Sequence, residues 1–240
     1  MNILLTLACT NGEPADDSRS ADDSVLQDIV YPSSEKVLIY SGHGGEPGAS
    51  TGVGGTDDLV ALLESEYGFN VDVRSTLGEP EKFRAVLFMD PGQRESRSFS
   101  EDDIALMQAG LDAGTRLIFV ATVGNCLGET INPVVEALGG SMGFGGDNAP
   151  TTQIMEPAQD HQLTQGIDEV FFVNPCMVDS GQGEAVFLVS RDAFMAAERP
   201  ARGGDIVLFG DYQWFDDTGK HANGSNLQLA RNLFEVDPAF

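Results

Sequence analysis

The residue best suited to covalent chemistry in this chain is Cys126, which has a glycine two positions to either side. The segment 124–128 reads Gly-Asn-Cys-Leu-Gly and lies between an apolar stretch and a predicted helix. A thiol at such a strand-to-helix turn lies near the first N–H groups of the helix, which lower its pKa and can stabilise an oxyanion. The spacing therefore predicts that Cys126 lies at the edge of a sheet, placed as a nucleophile would be.

A thiolate nucleophile also needs a base within hydrogen-bond reach, and the chain has 3 histidines. His43 lies in "SGHGGE", His161 in "DHQLTQGID" and His221 in a loop rich in glycine and asparagine. We interpret His161 and His221 first as ordinary loop histidines. A cysteine-dependent hydrolase or amidotransferase that uses Cys126, with His221 or His43 as the base, is the alternative function.

Polar residues also follow several predicted strands at their carboxyl ends, where doubly wound sheets bind ligands. They are His43, Asp90, Cys126 and Asp211, and Asn125 stands beside the cysteine. These five residues form the predicted ligand-binding cleft. The occupant we expect is a small polar ligand or a protein partner.

Carboxylates near the same strand ends could gather a hard cation such as Ca²⁺ or Mg²⁺. Solvated acidic loops are the favoured interpretation, because the scattered histidines and cysteines show no metal-ligand spacing. We therefore expect no metal site and no cofactor. The carboxylates in question are Asp90, Asp211, Asp216 and Asp217.

The Gly-rich loop at 43–55 invites a nucleotide-binding interpretation. It lacks the Lys-Ser/Thr pair of a P-loop, and no G-x-G-x-x-G opens the following helix. Asp57 and Asp58 instead stand in the first turn of that helix, where a phosphate would need bare N–H groups. A dinucleotide site is therefore not predicted.

The elements that must position these residues alternate between strand and helix from Lys36 onward. Helix starts are marked by Thr56 as an N-cap and by the Ser-x-x-Asp capping box that begins at Ser100. Such alternation predicts a doubly wound, mostly parallel sheet with helices on both faces. The predicted strands of this part are 36–42, 69–75, 83–92 and 115–122, and the predicted helices are 56–68, 100–114 and one after Cys126.

The composition changes after Gly139, where glycine and turn residues become frequent and only short extended pieces are predicted. Because no repeat and no linker interrupts the chain, 35–240 is predicted to be one domain. Strands are predicted at 171–178, 184–190 and 204–211, followed by a closing amphipathic helix with Leu227, Ala230, Leu233 and Phe234 on one face.

The turn around Cys126 resembles the nucleophile elbow of class I glutamine amidotransferases, whose motif is G-x-C-x-G. That family supplies its catalytic histidine from a His-Pro-Glu just after the last core strand. This chain has "VLFGDYQ" there, so the base and its orienting acid are both missing. The resemblance therefore implies the geometry of the elbow without its chemistry.

A second resemblance covers almost all of 36–240. "VLIYSGHGG", "INPVVEALGGSMG", "DHQLTQGIDEVFF" and "GGDIVLFGDYQWFDD…NGSNLQLARNLF" are similar, in this order, to motifs of amidotransferase-like domains without amidotransferase activity. Such domains occur in gliding-motility ABC transporter auxiliary proteins and in intraflagellar-transport subunits. The resemblance implies a flavodoxin-like fold and a binding or scaffolding role, with sugars among the ligands of some members. Function does not follow from the fold alone.

Cys176, in "VNPCMVDS", offers a second role for Cys126. In an oxidising compartment the two residues could form a disulfide between the elbow loop and a late strand. Both are equally compatible with separate buried thiols, because cysteine is often fully buried. The spacing leaves both possibilities open.

The charge of the chain restricts its partners. It carries 38 acidic and 13 basic residues, for a net charge of −25. Phosphate backbones repel such a surface, so nucleic acid is not an expected partner. The acidic composition is interpreted mainly as a solubility feature, since net charge bears on solubility and association rather than on fold.

The first 34 residues resemble the start of a bacterial lipoprotein. Residues 1–9 are a short apolar run that ends at Cys9, and 10–34 is an acidic, aperiodic tether. No basic residue precedes this apolar run. A start codon assigned downstream of the true one would explain the missing basic residue. We expect a lipidated Cys9 and a location on the extracytoplasmic side of the envelope, with the membrane contacted only through the lipid. A disordered cytosolic leader is the alternative.

Overall fold

A computed structural model of the chain describes residues 35–45, 55–92, 98–149, 153–189, 192–200, 203–216 and 225–234. The predicted lipidation site Cys9 and the acidic tether 10–34 lie outside the described residues, as does His221. Within the described ranges no helix is both long and apolar enough to cross a membrane.

Five parallel strands form the centre of the fold. Their spatial order is β2-β1-β3-β4-β11, which is the flavodoxin-like order, and each neighbouring pair is parallel. Among the described strands, β2 lies at one edge of the sheet. The strands are β1 (Lys36–Tyr40), β2 (Asn70–Arg74), β3 (Ala85–Met89), β4 (Arg116–Val120) and β11 (Ile206–Phe209).

Helices cover both faces of this sheet, as the α/β doubly wound prediction requires. Leu59 of α1 (Asp57–Ser65) and Leu229 of α4 (Ser225–Phe234) pack with Val37 and Ile39 on one face. The alternate strand residues, such as Leu38, point to the other face. There the sheet is covered by α2 (Glu101–Asp112) and α3 (Asn132–Ala137).

The later part of the chain extends the sheet with antiparallel strands beyond β11. The 9-stranded sheet continues in the order β10-β8-β5, and β9 pairs with β10. A separate two-stranded sheet is formed by β6 and β7. These strands are β5 (Gly143–Asn148), β6 (Gln153–Met155), β7 (Val170–Phe172), β8 (Cys176–Asp179), β9 (Glu184–Val189) and β10 (Asp192–Glu198).

Two local predictions have different outcomes. The capping box is confirmed, because Ser100 accepts a hydrogen bond from the backbone of Asp103 and the Asp103 side chain accepts one from the backbone of Ser100. Thr56 stands at the N-cap of α1 but makes no side-chain capping hydrogen bond.

The helix expected directly after Cys126 is wrong in its position. The chain makes successive tight turns, with Asn125 N donating to Thr122 O and Gly128 N donating to Asn125 O. Gly128 has a φ of 61°, a left-handed conformation that does not continue a helix. Because α3 begins only at Asn132, its N-terminal N–H groups do not lie at the cysteine.

An ion pair between Arg116 and Asp205 lies at the amino-terminal ends of β4 and β11 and connects them to α4. Arg116 Nε donates to Asp205 Oδ1 at 2.9 Å, and Nη2 donates to Oδ2 at 2.9 Å. Nη1 donates to the carbonyls of Asn232 and Leu233 near the end of the helix. Both charged side chains are almost fully buried, so the pair satisfies groups that could not reach water.

Candidate functional site

The predicted site residues lie along the carboxyl ends of the parallel strands, on loops that are tied to one another. At the point between β1 and β3 where the strand order reverses, Gly92 N donates to His43 O at 2.8 Å. His43 and Asp90 have φ values of 54° and 49°, a left-handed conformation uncommon for residues other than glycine. Surrounding contacts must hold this backbone in place.

His43 is held by groups on three sides. Tyr40 Oη lies 2.5 Å from Nδ1, and Asp103 Oδ2 lies 3.5 Å from Nε2. The ring stacks on Phe99 with a centroid distance of 4.0 Å. Burial, reinforced by the negative charge of Asp103, raises the pKa of Tyr40 to about 12, so the phenol stays protonated and can donate to His43.

Asn125 and Asp90, two residues of the predicted cleft, are in contact. Asn125 Nδ2 donates to Asp90 Oδ1 and to Pro91 O, both at 2.9 Å. Asp90 is fully buried, whereas Asn125 is partly exposed. The Asn125 amide thus connects the loop after β4 to the loop after β3. The buried Asp90 carboxylate is one of its two hydrogen-bond acceptors.

Cys126 and Cys176 form a disulfide bond, with a Cα–Cα distance of 5.2 Å. This decides between the two possibilities that the sequence left open. The Thr122 carbonyl lies 3.1 Å from Cys176 Sγ and 3.5 Å from Cys126 Sγ. In this state Cys126 has no thiolate to act as a nucleophile, and the bond fastens its loop to β8.

Asp211 ties the last core strand to the same rim. Its Oδ2 accepts a hydrogen bond from Val173 N at 2.7 Å, and the side chain is buried. The next residue, Tyr212, donates its N–H to Ala121 O at the end of β4. Asp216 is also fully buried.

These contacts connect the loops after β1, β3, β4 and β11, and the segment before β8, into one braced rim. Each predicted site residue takes part through a hydrogen bond, a backbone contact or the disulfide. The sequence analysis missed the three residues that hold the His43 ring. Two of them had a weak signal in the sequence: Tyr40 stands three residues before His43, at the end of β1, and Asp103 belongs to the recognised capping box. Phe99 had none.

The motif around His161 proves to be structural. His161 Nδ1 accepts from Leu163 N, and Thr164 Oγ1 accepts from His161 N, which together cap a short 3-10 helix. Asn232 of α4 donates from Nδ2 to the carbonyls of Leu163 and Gln165. Burial lowers the pKa of His161 despite the opposing charge of Glu184.

No group of three or more metal-ligating side chains occurs among the residues that the structure describes. Two cavities lie away from the rim. One, of about 390 Å³, lies near the amino-terminal end of β11 and is lined in part by Ser141, Glu198 and Arg199. The other, of about 630 Å³, is lined by the 3-10 helix that follows His161 and by the residues next to it. In the first cavity, Glu198 Oε2 accepts hydrogen bonds from the backbone N–H groups of Ser141 and Met142.

Comparisons with known proteins were made at three levels. No protein-family model matches the chain, and no curated protein matches it. Among solved structures, the mmIFT52 N-terminal domain matches with a TM-score of 0.64 at 14% identity, covering 85% of this chain and all (100%) of that domain.

Two further structures share the architecture. A cytoplasmic protein from Salmonella typhimurium matches with a TM-score of 0.54 at 12% identity, over 83% of this chain and 98% of that one. The exo-β-1,4-mannosidase Op5Man5 from Opitutaceae bacterium strain TAV5 matches with a TM-score of 0.50 at 9% identity. That match covers 81% of this chain but only 34% of the mannosidase.

At such identities the matches show the fold alone. The IFT52 match agrees at that level with the resemblance to intraflagellar-transport subunits seen in the sequence. The chain therefore has an α/β domain with a flavodoxin-like strand order, whose rim of loops is braced by Asn125, the Cys126–Cys176 disulfide and Asp211.

Proposed function

We propose that residues 35–240 form a non-catalytic binding domain that is anchored to the cell envelope through lipidated Cys9. The domain binds a small polar ligand or an envelope protein partner at the braced rim. The observation that carries the proposal is the bond between Cys126 Sγ and Cys176 Sγ. It occupies the one side chain on which an amidotransferase-like reaction would depend.

The histidines support the same conclusion. Catalysis by a cysteine requires a base within hydrogen-bond reach of its sulfur. His43 has Tyr40 against Nδ1 and Asp103 near Nε2, and His161 caps the 3-10 helix with its Nδ1. The cysteine hydrolase therefore requires reduction of the disulfide and a base supplied from outside this arrangement, for which His221 is the remaining candidate.

The construction of the rim favours binding. Asp90 and Asp211 are buried and fix the loops, while Asn125 and His43 keep part of their surface in contact with solvent. Loops fixed in one arrangement lose little conformational entropy when a ligand arrives, which favours affinity. The rim thus combines a rigid base with an accessible polar face.

The envelope location rests on two independent features. Disulfides persist in oxidising compartments and are rare in the cytosol. The apolar run that ends at Cys9, followed by the acidic tether, has the composition of a lipoprotein start.

Cell fractionation tests the anchor. The chain expressed with a complete lipoprotein signal sequence placed before Cys9 should be found in the membrane fraction, and Cys9→Ser should release it. Cys126→Ser is the matched control, because it changes a cysteine without touching the lipidation site and should leave the chain in the membrane. A wild-type chain found in the cytosolic fraction would refute the anchored location.

A further inference from the structure

The braced rim presents large apolar side chains to solvent. Among the described residues, the exposed large hydrophobic side chains are Val123, Leu127 and Ile154, at 51%, 64% and 63% exposure. Val123 and Leu127 stand on the same short loop, to either side of the disulfide cysteine. A single exposed leucine needs no explanation, but two on one loop of a candidate binding rim suggest an interaction surface.

This loop is fixed from several directions. Asn125 fastens it to the loop after β3, and Cys126 fastens it to β8. The Cys126 carbonyl also accepts a hydrogen bond from Gly146 N of β5 at 2.9 Å. Val123 and Leu127 therefore project into solvent from a loop that is held between them by Asn125 and Cys126.

The crest of the loop has room for a partner. A Cβ atom added at Gly124 would meet nothing within 4 Å. On the other side, a Cβ at Gly146 would lie 3.2 Å from Leu127 Cδ2, so the leucine rests along the end of β5. Leu127 and β5 therefore lie side by side, and Val123 and Gly124 stand on the same loop as Leu127.

The described charged residues beside this surface are acidic. Glu129 lies two residues after Leu127, and Asp147 follows Gly146 at the end of β5, and both are exposed. The whole chain adds a net charge of −25. A partner with basic residues around an apolar side chain would gain electrostatic attraction as well as apolar burial, whereas an acidic or purely apolar partner would lack the attraction.

We infer that the surface formed by Val123, Gly124, Leu127 and Asp147, here called the crest, is the docking site for a basic protein segment with an apolar anchor residue. This inference rests on the proposed binding function and names the chemistry of the partner. The anchor packs against Leu127 and Val123, and basic side chains face Glu129 and Asp147. The disulfide positions the crest without contacting the partner.

A peptide probe tests the crest on the full chain. The probe is a fluorescein-labelled peptide of about 15 residues built from Leu and Lys, chosen because apolar anchors beside basic residues are a recurring recognition mode. Fluorescence anisotropy should show binding that weakens as salt rises. Versions with Ser in place of Leu, or Glu in place of Lys, should bind at least about tenfold more weakly.

Variants of the chain locate the binding. Leu127→Ser should weaken binding by about tenfold or more, the range expected for one buried leucine. Ile154→Ser removes an equally exposed apolar side chain elsewhere and should change nothing. Gly124 does not have a positive φ, so side chains fit there. Gly124→Arg should weaken binding and Gly124→Glu should strengthen it.

The outcomes separate the inference from the proposed function. Absence of peptide binding, equal losses for Leu127→Ser and Ile154→Ser, or no response to charge at Gly124 would overturn the crest as the docking site. None of these results makes the chain an enzyme or removes its anchor. Turnover of glutamine by the wild type would refute the proposed function whatever the peptide does.

Discussion

Polar side chains in this protein hold distant parts of the chain together through hydrogen bonds. Asn125 joins two loops through one amide group, and Asp211 fixes a third through a single carboxyl oxygen. A buried polar group is costly unless it is paired, so each such contact specifies one arrangement of the backbone. The type of these residues suggested ligand binding in the sequence, but their hydrogen bonds show that part of their polar capacity is used internally.

Arg116 and Asp205 provide the clearest stability test at this scale. Asp205→Ala leaves the buried guanidinium without its carboxylate and should lower the free energy of unfolding by about 3–5 kcal/mol. Urea denaturation measures this directly. Glu64→Ala, which removes an exposed carboxylate from α1, should stay within about 0.5 kcal/mol of the wild type. Equal effects of the two variants would show that the ion pair is not essential.

His161 should make stability depend on pH. Burial lowers the pKa of His161 in the folded protein, while in the unfolded chain the imidazole titrates near its ordinary value of about 6.5. As pH falls below that value the unfolded state binds the proton more readily, so stability is lost on acidification.

The comparison needs a variant that keeps the cap. His161→Asn retains a short acceptor for Leu163 N but does not titrate. Urea unfolding at pH 7.5 and pH 5.5 should show a larger loss of stability for the wild type than for the variant. A loss of the same size in both proteins would assign the acid sensitivity to other groups.

At the scale of secondary structure, side-chain amides form hydrogen bonds with backbone groups at the edges of strands. Asn132, the first residue of α3, accepts from Phe144 N at 2.8 Å and donates to Phe144 O at 3.1 Å. Asn226 of α4 makes the same pair of contacts with Phe171 on β7. An unpaired strand edge is a template for association, and these amides occupy its hydrogen-bonding groups.

Asn132→Ala should therefore destabilise the edge of the sheet at β5. The backbone of buried Phe144 would lose both partners, which costs about 1–3 kcal/mol. Hydrogen exchange should be faster at the Phe144 amide. Asn132→Asp keeps an acceptor for that amide and should protect it better than alanine does, and unchanged exchange in both variants would argue against the amide contact.

The sequence predicted those elements that depend on local patterns. The Ser100 capping box and the apolar runs of β1, β3, β4 and β11 carry their signal within a few residues, and all of them form. The helix placed directly after Cys126 failed, because the turns through Gly128 delay α3. The strand β10 was missed, since its "DAFMAAE" contains three alanines, a poor strand signal.

What the sequence could not decide depends on contacts between distant residues. The pairing of Cys126 with Cys176 spans 50 residues and is fixed only when Cys176, at the start of β8, comes close to the turn after β4. The tie between Asn125 and Asp90 likewise requires two neighbouring loops. Motif resemblance indicated the fold correctly at 14% identity to the IFT52 domain, but it carried no information about which polar residues would be buried.

At the scale of the whole molecule, the protein is a flavodoxin-like α/β domain in which Cys126 is part of the bracing of the rim. The sheet and its two helical layers place the loops, and the disulfide with the amide and carboxylate ties fixes them. The chain carries a net charge of −25, so partners of opposite charge would be attracted to it. The central claim is that Cys126 fastens the loop and does not catalyse a reaction.

The most direct test of this claim combines iodoacetamide labelling of the native, unreduced protein near neutral pH with a measurement of ammonia release from glutamine. We predict that Cys126 stays unlabelled, that its peptide is recovered linked to the Cys176 peptide, and that no ammonia is released above the level of Cys126→Ala. Rapid stoichiometric labelling of Cys126 together with ammonia release that Cys126→Ala abolishes would contradict the account and make Cys126 a catalytic nucleophile.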